Sequence, residues 1–213
     1  MKTSIPKKSL KRMAHYHYYL RQLEKKQRDF VSSDRLASDL NLTPEQVRED
    51  MANMDDTLVI SDIYNVKKLK QLIEEFLGYN RQNTAVIAGA GNLGKALLNY
   101  HGFKACGLEI LGVFDQDENL IGKKFGGKTT MAMEKMEDII SRLQPKIGII
   151  TTPPEPAQMI ANKMIENGIK GIWNFSLAIL KVPDHIVLQN SSLYNDFLKL
   201  SHKIQEKNGS EQD

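Results

Sequence analysis

Thr84-Ala85-Val86-Ile87-Ala88-Gly89-Ala90-Gly91-Asn92-Leu93-Gly94 is the stretch whose reading settles the architecture. Thr84 to Ala88 is a short apolar run, the composition of a strand covered on both faces in a parallel sheet. The glycines behind it fall in the spacing G-x-G-x-x-G, and Leu93 through Tyr100 reads as a helix. That spacing is a weak signal alone. Directly after a strand and at the head of a helix, it is the fingerprint of a dinucleotide-binding unit. Gly89 permits the tight turn, Gly91 has no Cβ to block a pyrophosphate, and Gly94 lets the helix pack closely on the strand. With Ala90, Asn92 and Leu93 they form the loop and first turn, whose unpaired N–H groups attract phosphate.

Working outward toward the C-terminus, Leu108 to Phe114 reads as a second strand ending at Asp115, twenty-one residues after Gly94. A carboxylate there accepts from a ribose 2′-OH and repels a 2′-phosphate. Gln116-Asp117-Glu118 follows with no nearby Arg, which favours NAD(H) over NADP(H). A helix over about 134–143, a strand Ile147–Thr151, a helix over 156–167 and a strand around 171–175 complete the alternation. The expected class is an α/β Rossmann fold, a doubly wound parallel sheet. Thr151-Thr152-Pro153 falls at a carboxyl strand end and is expected beside the pyrophosphate or nicotinamide. The competing reading is a Rossmann-like domain that holds no dinucleotide.

Toward the N-terminus the pattern is short and helical. Residues 10–24 place Leu10, Met13, Ala14, Tyr16, Leu20 and Leu23 on one stripe. Ser32-Ser33 offers an N-cap for a helix through Leu36, Ala37 and Leu40. Thr43-Pro44-Glu45-Gln46 is a capping box with Pro at the first helical position, and it opens a helix burying Val47, Met51 and Met54. Two short helices around a tight turn make a helix-turn-helix pattern, which also occurs as a plain structural hairpin. Asp55 to Asp62 reads as a hairpin or loop, residues 65–77 as a further helix, and 79–83 as a polar linker.

The 213 residues, 41% hydrophobic and 26% charged, leave room for one large domain or two small ones with a buried core. No run is long and apolar enough for a membrane span, no h-region follows the basic start, and Cys106 is the single cysteine. A cytoplasmic chain with no membrane association is expected. The net charge of +3 conceals an asymmetry: residues 1–28 carry nine Lys/Arg against one acid, Glu24. Such an arm suits phosphates or a solvated helix face. His15, His17, His101, His185 and His202 show no metal-ligand spacing, and Cys106 has no adjacent base, so no catalytic residue and no metal site is predicted.

The chain resembles the Rex family of redox-sensing transcriptional repressors. The resemblance rests on Ser32-Ser33-Asp34-Arg35-Leu36-Ala37, Gln46-Val47-Arg48, Tyr64-Asn65-Val66, Gly89 through Tyr100, Phe114-Asp115-Gln116-Asp117, Gly168 to Ile172 and Asn174-Phe175. It implies a winged helix-turn-helix domain over 1–80, a Rossmann NAD(H)-binding domain over 81–192, and a C-terminal helix and tail over 193–213 that swaps onto a partner in a homodimer. It implies that NADH releases the protein from a double-stranded operator and NAD⁺ permits binding. With the motif reading, it assigns Gly89, Ala90, Gly91, Asn92, Leu93, Gly94, Asp115, Thr151, Thr152, Pro153, Tyr100 and Asn174 to the cofactor. Lys7, Lys8, Lys11, Arg12, Ser33, Gln46, Arg48 and Asn53 are assigned to DNA.

Departures from the family pattern bear on function. Glu49 stands where the recognition helix usually has Lys. The span Met51 to Ile63 contains no Gly, Lys or Arg, where the family's wing is Gly-rich and basic. Tyr18 and Ser192 occupy the positions of an Arg–Asp pair that couples redox state to geometry. Leu193 falls at the wedge position, and Ser176-Leu177 replaces Ala-Pro. Between Pro44 and Tyr64 one base, Arg48, faces six acids: Glu45, Glu49, Asp50, Asp55, Asp56 and Asp62. The expectation is therefore weak, salt-dependent DNA binding carried by Lys7, Lys8, Lys11 and Arg12. Two alternatives stay open: a paralogue acting through protein partners, and a small NAD-dependent oxidoreductase.

Overall fold

The structure is a computed structural model that describes residues 6–55, 58, 62–79 and 82–209. It divides into two units, Met1–Arg81 and Gln82–Asp213.

The first unit contains α1 (Lys7–Lys25), β1 (Phe30–Ser32), α2 (Ser33–Leu40), α3 (Pro44–Met54), β2 (Ile63–Asn65) and α4 (Val66–Leu77). Each junction has a local chemical cause. Ser32 Oγ accepts from Arg35 N to start α2, and Asn41 ends it in the left-handed region. Thr43 and Gln46 form the full reciprocal capping box of α3. Asn65 Oδ1 caps Lys68 N to start α4, and Gly78 closes it at φ +73°. Each side-chain cap contributes about 1 kcal/mol. Met13, Tyr16, Leu20, Leu36, Val47, Met51, Leu69 and Ile73 meet in one fully buried core. The strand pair β1–β2, with Val31 opposite Tyr64, is short enough to leave no periodic trace and was not anticipated from sequence. Of the expected hairpin or loop over 55–62, residues 56–57 and 59–61 lie outside the described residues.

The second unit contains β3 (Asn83–Ala88), α5 (Asn92–Leu98), α6 (His101–Ala105), β4 (Leu108–Asp115), β5 (Lys124–Phe125), β6 (Lys128–Ala132), α7 (Met136–Leu143), β7 (Ile147–Ile150), α8 (Pro154–Glu166), β8 (Gly171–Asn174), β9 (Val187–Asn190) and α9 (Leu193–Gly209). The sheet order is β5-β6-β4-β3-β7-β8-β9, parallel throughout except for the β5–β6 pair. β3 lies between β4 and β7, which places the glycine loop at the topological switch point.

Alternation along β3 explains its apolar run. Val86 and Ala88 join Met136 and Ile140 of α7 and Ala157 and Ile160 of α8 on one face. Ala85 and Ile87 join Val113, Ile149, Leu97 and Trp173 on the other. A strand buried on both faces has no polar side to show. Two local departures appear. The helix expected from Leu93 to Tyr100 breaks into α5 and α6, because Tyr100 is extended (φ −78°, ψ 99°). The edge strands β5 and β9, and β6 inside β5, are short and largely polar and leave no strand pattern in the sequence.

Helix α9 carries an apolar stripe in the open: Leu193, Phe197, Leu200 and Ile204 are each more than half exposed.

Candidate nucleotide site and nucleic-acid interface

The three fingerprint glycines are required for three different reasons. Gly89 has φ +104°, and a Cβ there would stand 2.7 Å from Thr151 Oγ1. A Cβ on Gly94 would stand 2.0 Å from the carbonyl oxygen of Gly89, a contact no rotamer relieves. A Cβ on Gly91 would meet nothing within 4 Å. The first two glycines are therefore needed by the fold, whereas Gly91 borders the open space that a pyrophosphate would fill.

Around that space the polar groups are fixed. Asp115, at the end of β4, accepts from Ala90 N through Oδ2 (2.6 Å) and from Asp117 N through Oδ1 (2.9 Å). Its carboxylate is thus tied to the glycine loop with further lone pairs available for ribose hydroxyls. The Thr151 hydroxyl is directed at the loop backbone, 2.8 Å from Gly89 O and 3.1 Å from Ala88 O. Next to it the buried Thr152 Oγ1 has no hydrogen-bond partner among the described residues. An orphaned buried hydroxyl is costly unless a ligand satisfies it. Open space at Gly91, a positioned carboxylate and an unsatisfied hydroxyl fit a dinucleotide. Asn92 is exposed, Leu93 is half-buried, and Pro153 is exposed at the cap of α8.

Tyr100 and Asn174 are placed differently. Tyr100 lies past the far end of α5, packs edge-on against Phe103 at 5.0 Å, and lines with Leu97, Phe103 and Leu108 a cavity of about 870 Å³. Asn174 is buried and engaged within the protein: it donates to Ala178 O and Asn190 Oδ1 and accepts from Ser176 N and Oγ. It closes the turn after β8. Trp173 Nε1 donates to Ser191 Oγ (2.9 Å), two residues before α9, and its ring packs against Phe103 and Phe175.

In the first unit Lys8 and Lys11 are exposed on α1, while the side chain of Lys7 lies outside the described set. Arg12 turns inward. Its Nε and Nη2 donate to Asp50 Oδ2 and Oδ1 at 2.5 and 2.7 Å, and Tyr16 Oη donates to Asp50 at 2.8 Å. Asp50 is fully buried, so it is not among the groove-facing acids counted from sequence. The Asp50 hydrogen bond holds the Arg12 guanidinium charged, and burial, reinforced by Asp50, pushes the Tyr16 phenol well above its ordinary range. Ser33 is also buried, its Oγ donating to Asp62 at 3.3 Å. Gln46 Oε1 is occupied by Thr43 N in the capping box, and Asn53 is half-buried. Arg48 donates to Asp62 Oδ1 (3.0 Å) and Glu45 Oε1 (3.1 Å). Arg12 and Asp50 are 38 positions apart and Arg48 and Asp62 are 14, separations over which a single sequence carries no pairing signal.

These features define a class: a dinucleotide-type Rossmann unit carried in one chain with a capped helix-turn-helix unit. Known proteins make the class specific. Residues 4–52 match the family model described as putative DNA-binding protein N-terminus, and residues 80–178 match the one described as CoA binding domain. The chain is 35% identical over 206 residues to the redox-sensing transcriptional repressor Rex of Thermoanaerobacter pseudethanolicus, covering 97% of this chain and 92% of that one. It is 36% identical over 197 residues to Rex of Clostridium beijerinckii, covering 92% and 93%. Among solved structures, the Rex-family repressor RSP in complex with β-NAD⁺ and operator DNA superposes with a TM-score of 0.89 at 33% identity, covering 99% of this chain and 97% of RSP. RSP in complex with β-NADH gives 0.87 at 34% identity, covering 99% of both chains. The chain belongs to the Rex family of redox-sensing transcriptional repressors.

Proposed function

We propose that this protein is a cytoplasmic repressor that reads an operator with its first unit and the NADH/NAD⁺ balance with its second. The observation that carries this reading is the near-complete match to RSP, which has been captured both with NADH and with NAD⁺ plus operator DNA. The Ala90–Gly94 loop would hold the pyrophosphate of a dinucleotide, Asp115 would accept from its ribose, and Thr151, Thr152 and Pro153 would lie on the pyrophosphate or nicotinamide side. The acidic run Asp115-Gln116-Asp117-Glu118 favours NAD(H) over NADP(H). The working division is a DNA-reading domain over 1–80, a nucleotide domain over 81–192 and a dimerisation helix and tail over 193–213. The exposed stripe of α9 supports a homodimer, because such a stripe is stable in water only when covered. Among the described residues no helix is long and apolar enough to cross a membrane.

The placement of the DNA-side residues narrows the contact set. Lys8, Lys11 and Arg48 offer charge to the duplex, while Arg12 and Ser33 act by holding α3 and the strand pair in place. Fluorescence anisotropy on the operator duplex used with RSP tests the whole reading. Binding in NAD⁺ and release by NADH is the expected result. No binding in either nucleotide overturns it.

A further inference from the structure

We propose that Asp62 is a built-in competitor of DNA for Arg48 and thereby sets the operator affinity of this repressor. The proposal rests on the reading of the first unit as the DNA-binding one.

Val47, Asp50, Met51 and Met54 form the buried face of α3, which leaves Glu45, Gln46, Arg48 and Glu49 toward the outside. In helix-turn-helix docking, the N-terminal part of the second helix meets the base edges. Arg48 is the single Lys or Arg between Pro44 and Tyr64. An arginine reads guanine or grips a phosphate through two parallel N–H donors. Here both terminal nitrogens of Arg48 already face carboxylates, Nη1 on Asp62 and Nη2 on Glu45. A duplex that takes a two-bond grip on Arg48 through those nitrogens must displace them.

The two carboxylates are not equivalent. Both are largely exposed, Glu45 at 75% and Asp62 at 68%, and they differ in what they tie together: Glu45 forms an i,i+3 pair within α3 itself, the kind that contributes little. Asp62 is held at the base of the strand pair. Its backbone oxygen accepts from Ser33 N at 2.8 Å, its Oδ1 accepts from the buried Ser33 hydroxyl, and the next residue, Ile63, pairs with Ser32. The Asp62 bond thus fastens Arg48 to a second element, the strand pair, whereas the Glu45 bond stays within one turn of α3. Asp62 therefore opposes DNA twice, by occupying Arg48 and by placing a negative charge where phosphates approach. Separating those two effects is the purpose of the test.

Operator binding is measured in NAD⁺ by anisotropy on the RSP operator duplex, over a series of salt concentrations. Asp62→Asn retains an acceptor for Ser33 and is expected to tighten binding roughly tenfold, with a salt slope steeper by about one phosphate contact. Glu49→Gln removes an exposed acid of the same helix outside the Arg48 pair and is expected to gain clearly less. In an Arg48→Ala background, Asp62→Asn should gain no more than Glu49→Gln does. Asp62→Glu keeps the charge and should bind no more tightly than the unmutated protein. Melting temperatures report whether each variant is folded, and Asp62→Ser replaces Asp62→Asn if the latter is not. Equal gains from Asp62→Asn and Glu49→Gln, or a full gain without Arg48, overturn the proposal while leaving the repressor reading intact. Failure of every variant to bind the duplex overturns both.

Discussion

Arg12 on α1 and Asp50 on α3 form a two-bond ion pair whose acid is wholly buried and whose base is one-fifth exposed. With the Tyr16 hydroxyl added, the buried carboxylate accepts three hydrogen bonds from one face of α1. The helix that carries Arg48 is thus braced from behind by polar contacts as well as by Met51 and Val47. Arg12→Ala would leave a buried carboxylate with Tyr16 alone, a change that costs about 3 kcal/mol. Calorimetry should show the first unit melting at lower temperature with the second unit unchanged. Equal Tm values would contradict this.

The same cluster gives an alkaline limit. Burial raises the Tyr16 phenol in the folded state above its unfolded value of about 10. The neutral phenol therefore stabilises the fold fully below that value, and the contribution is lost progressively as pH rises beyond it. Circular dichroism of the unmutated protein should fall off above pH about 10 more steeply than that of Tyr16→Phe. Parallel curves would show that Tyr16 is not the sensitive group.

The glycine loop separates folding from binding. Gly94→Ala drives a Cβ into the Gly89 carbonyl and should destabilise the second unit by about 3 kcal/mol. Gly91→Ala enters open space, so it should keep the Tm and weaken NADH binding. NADH titration beside thermal melts checks both. Unimpaired NADH binding by Gly91→Ala would place the pyrophosphate elsewhere.

Asp115 is expected to act through charge as well as hydrogen bonding. Asp115→Ala removes the acceptor of Ala90 N and should weaken NADH binding by roughly tenfold or more. Asp115→Asn can keep the Ala90 bond and should mainly relax the preference over NADPH. Titration calorimetry with both nucleotides decides it, and equal NADH and NADPH affinity of the unmutated protein would refute the assignment.

The stripe on α9 predicts its own disruption. Phe197→Asp combined with Ile204→Asp should convert a dimer to a monomer by light scattering, without altering the Tm of the first unit. A monomeric unmutated protein at micromolar concentration would remove the basis of the assignment.

What could be read from sequence was local chemistry. Thr43 to Gln46 spelled its capping box, Ser32 its cap, and the glycine spacing its loop, because each depends on residues within five positions of one another. The β1–β2 pair was invisible because three residues carry no usable period, and edge strand β9 because it is mostly exposed and lacks the apolar run that marks the equally short β7. The same reason governed the interface. Arg12 and Arg48 look alike in a list of bases, and only long-range packing separates a brace for α3 from a cation on its outer face. Asp50, counted as a surface acid, belongs to the interior for the same cause.

The bond from Trp173 to Ser191 has an optical consequence. Trp173 is the single tryptophan, and its indole is anchored two residues before α9 begins. Indole emission overlaps the absorption of a reduced nicotinamide and not that of an oxidised one. A reduced nicotinamide bound within energy-transfer range of this single fluorophore would therefore quench it while an oxidised one would not, giving a label-free readout of the redox state, and the bond to Ser191 makes the same indole a reporter of polarity at the root of α9.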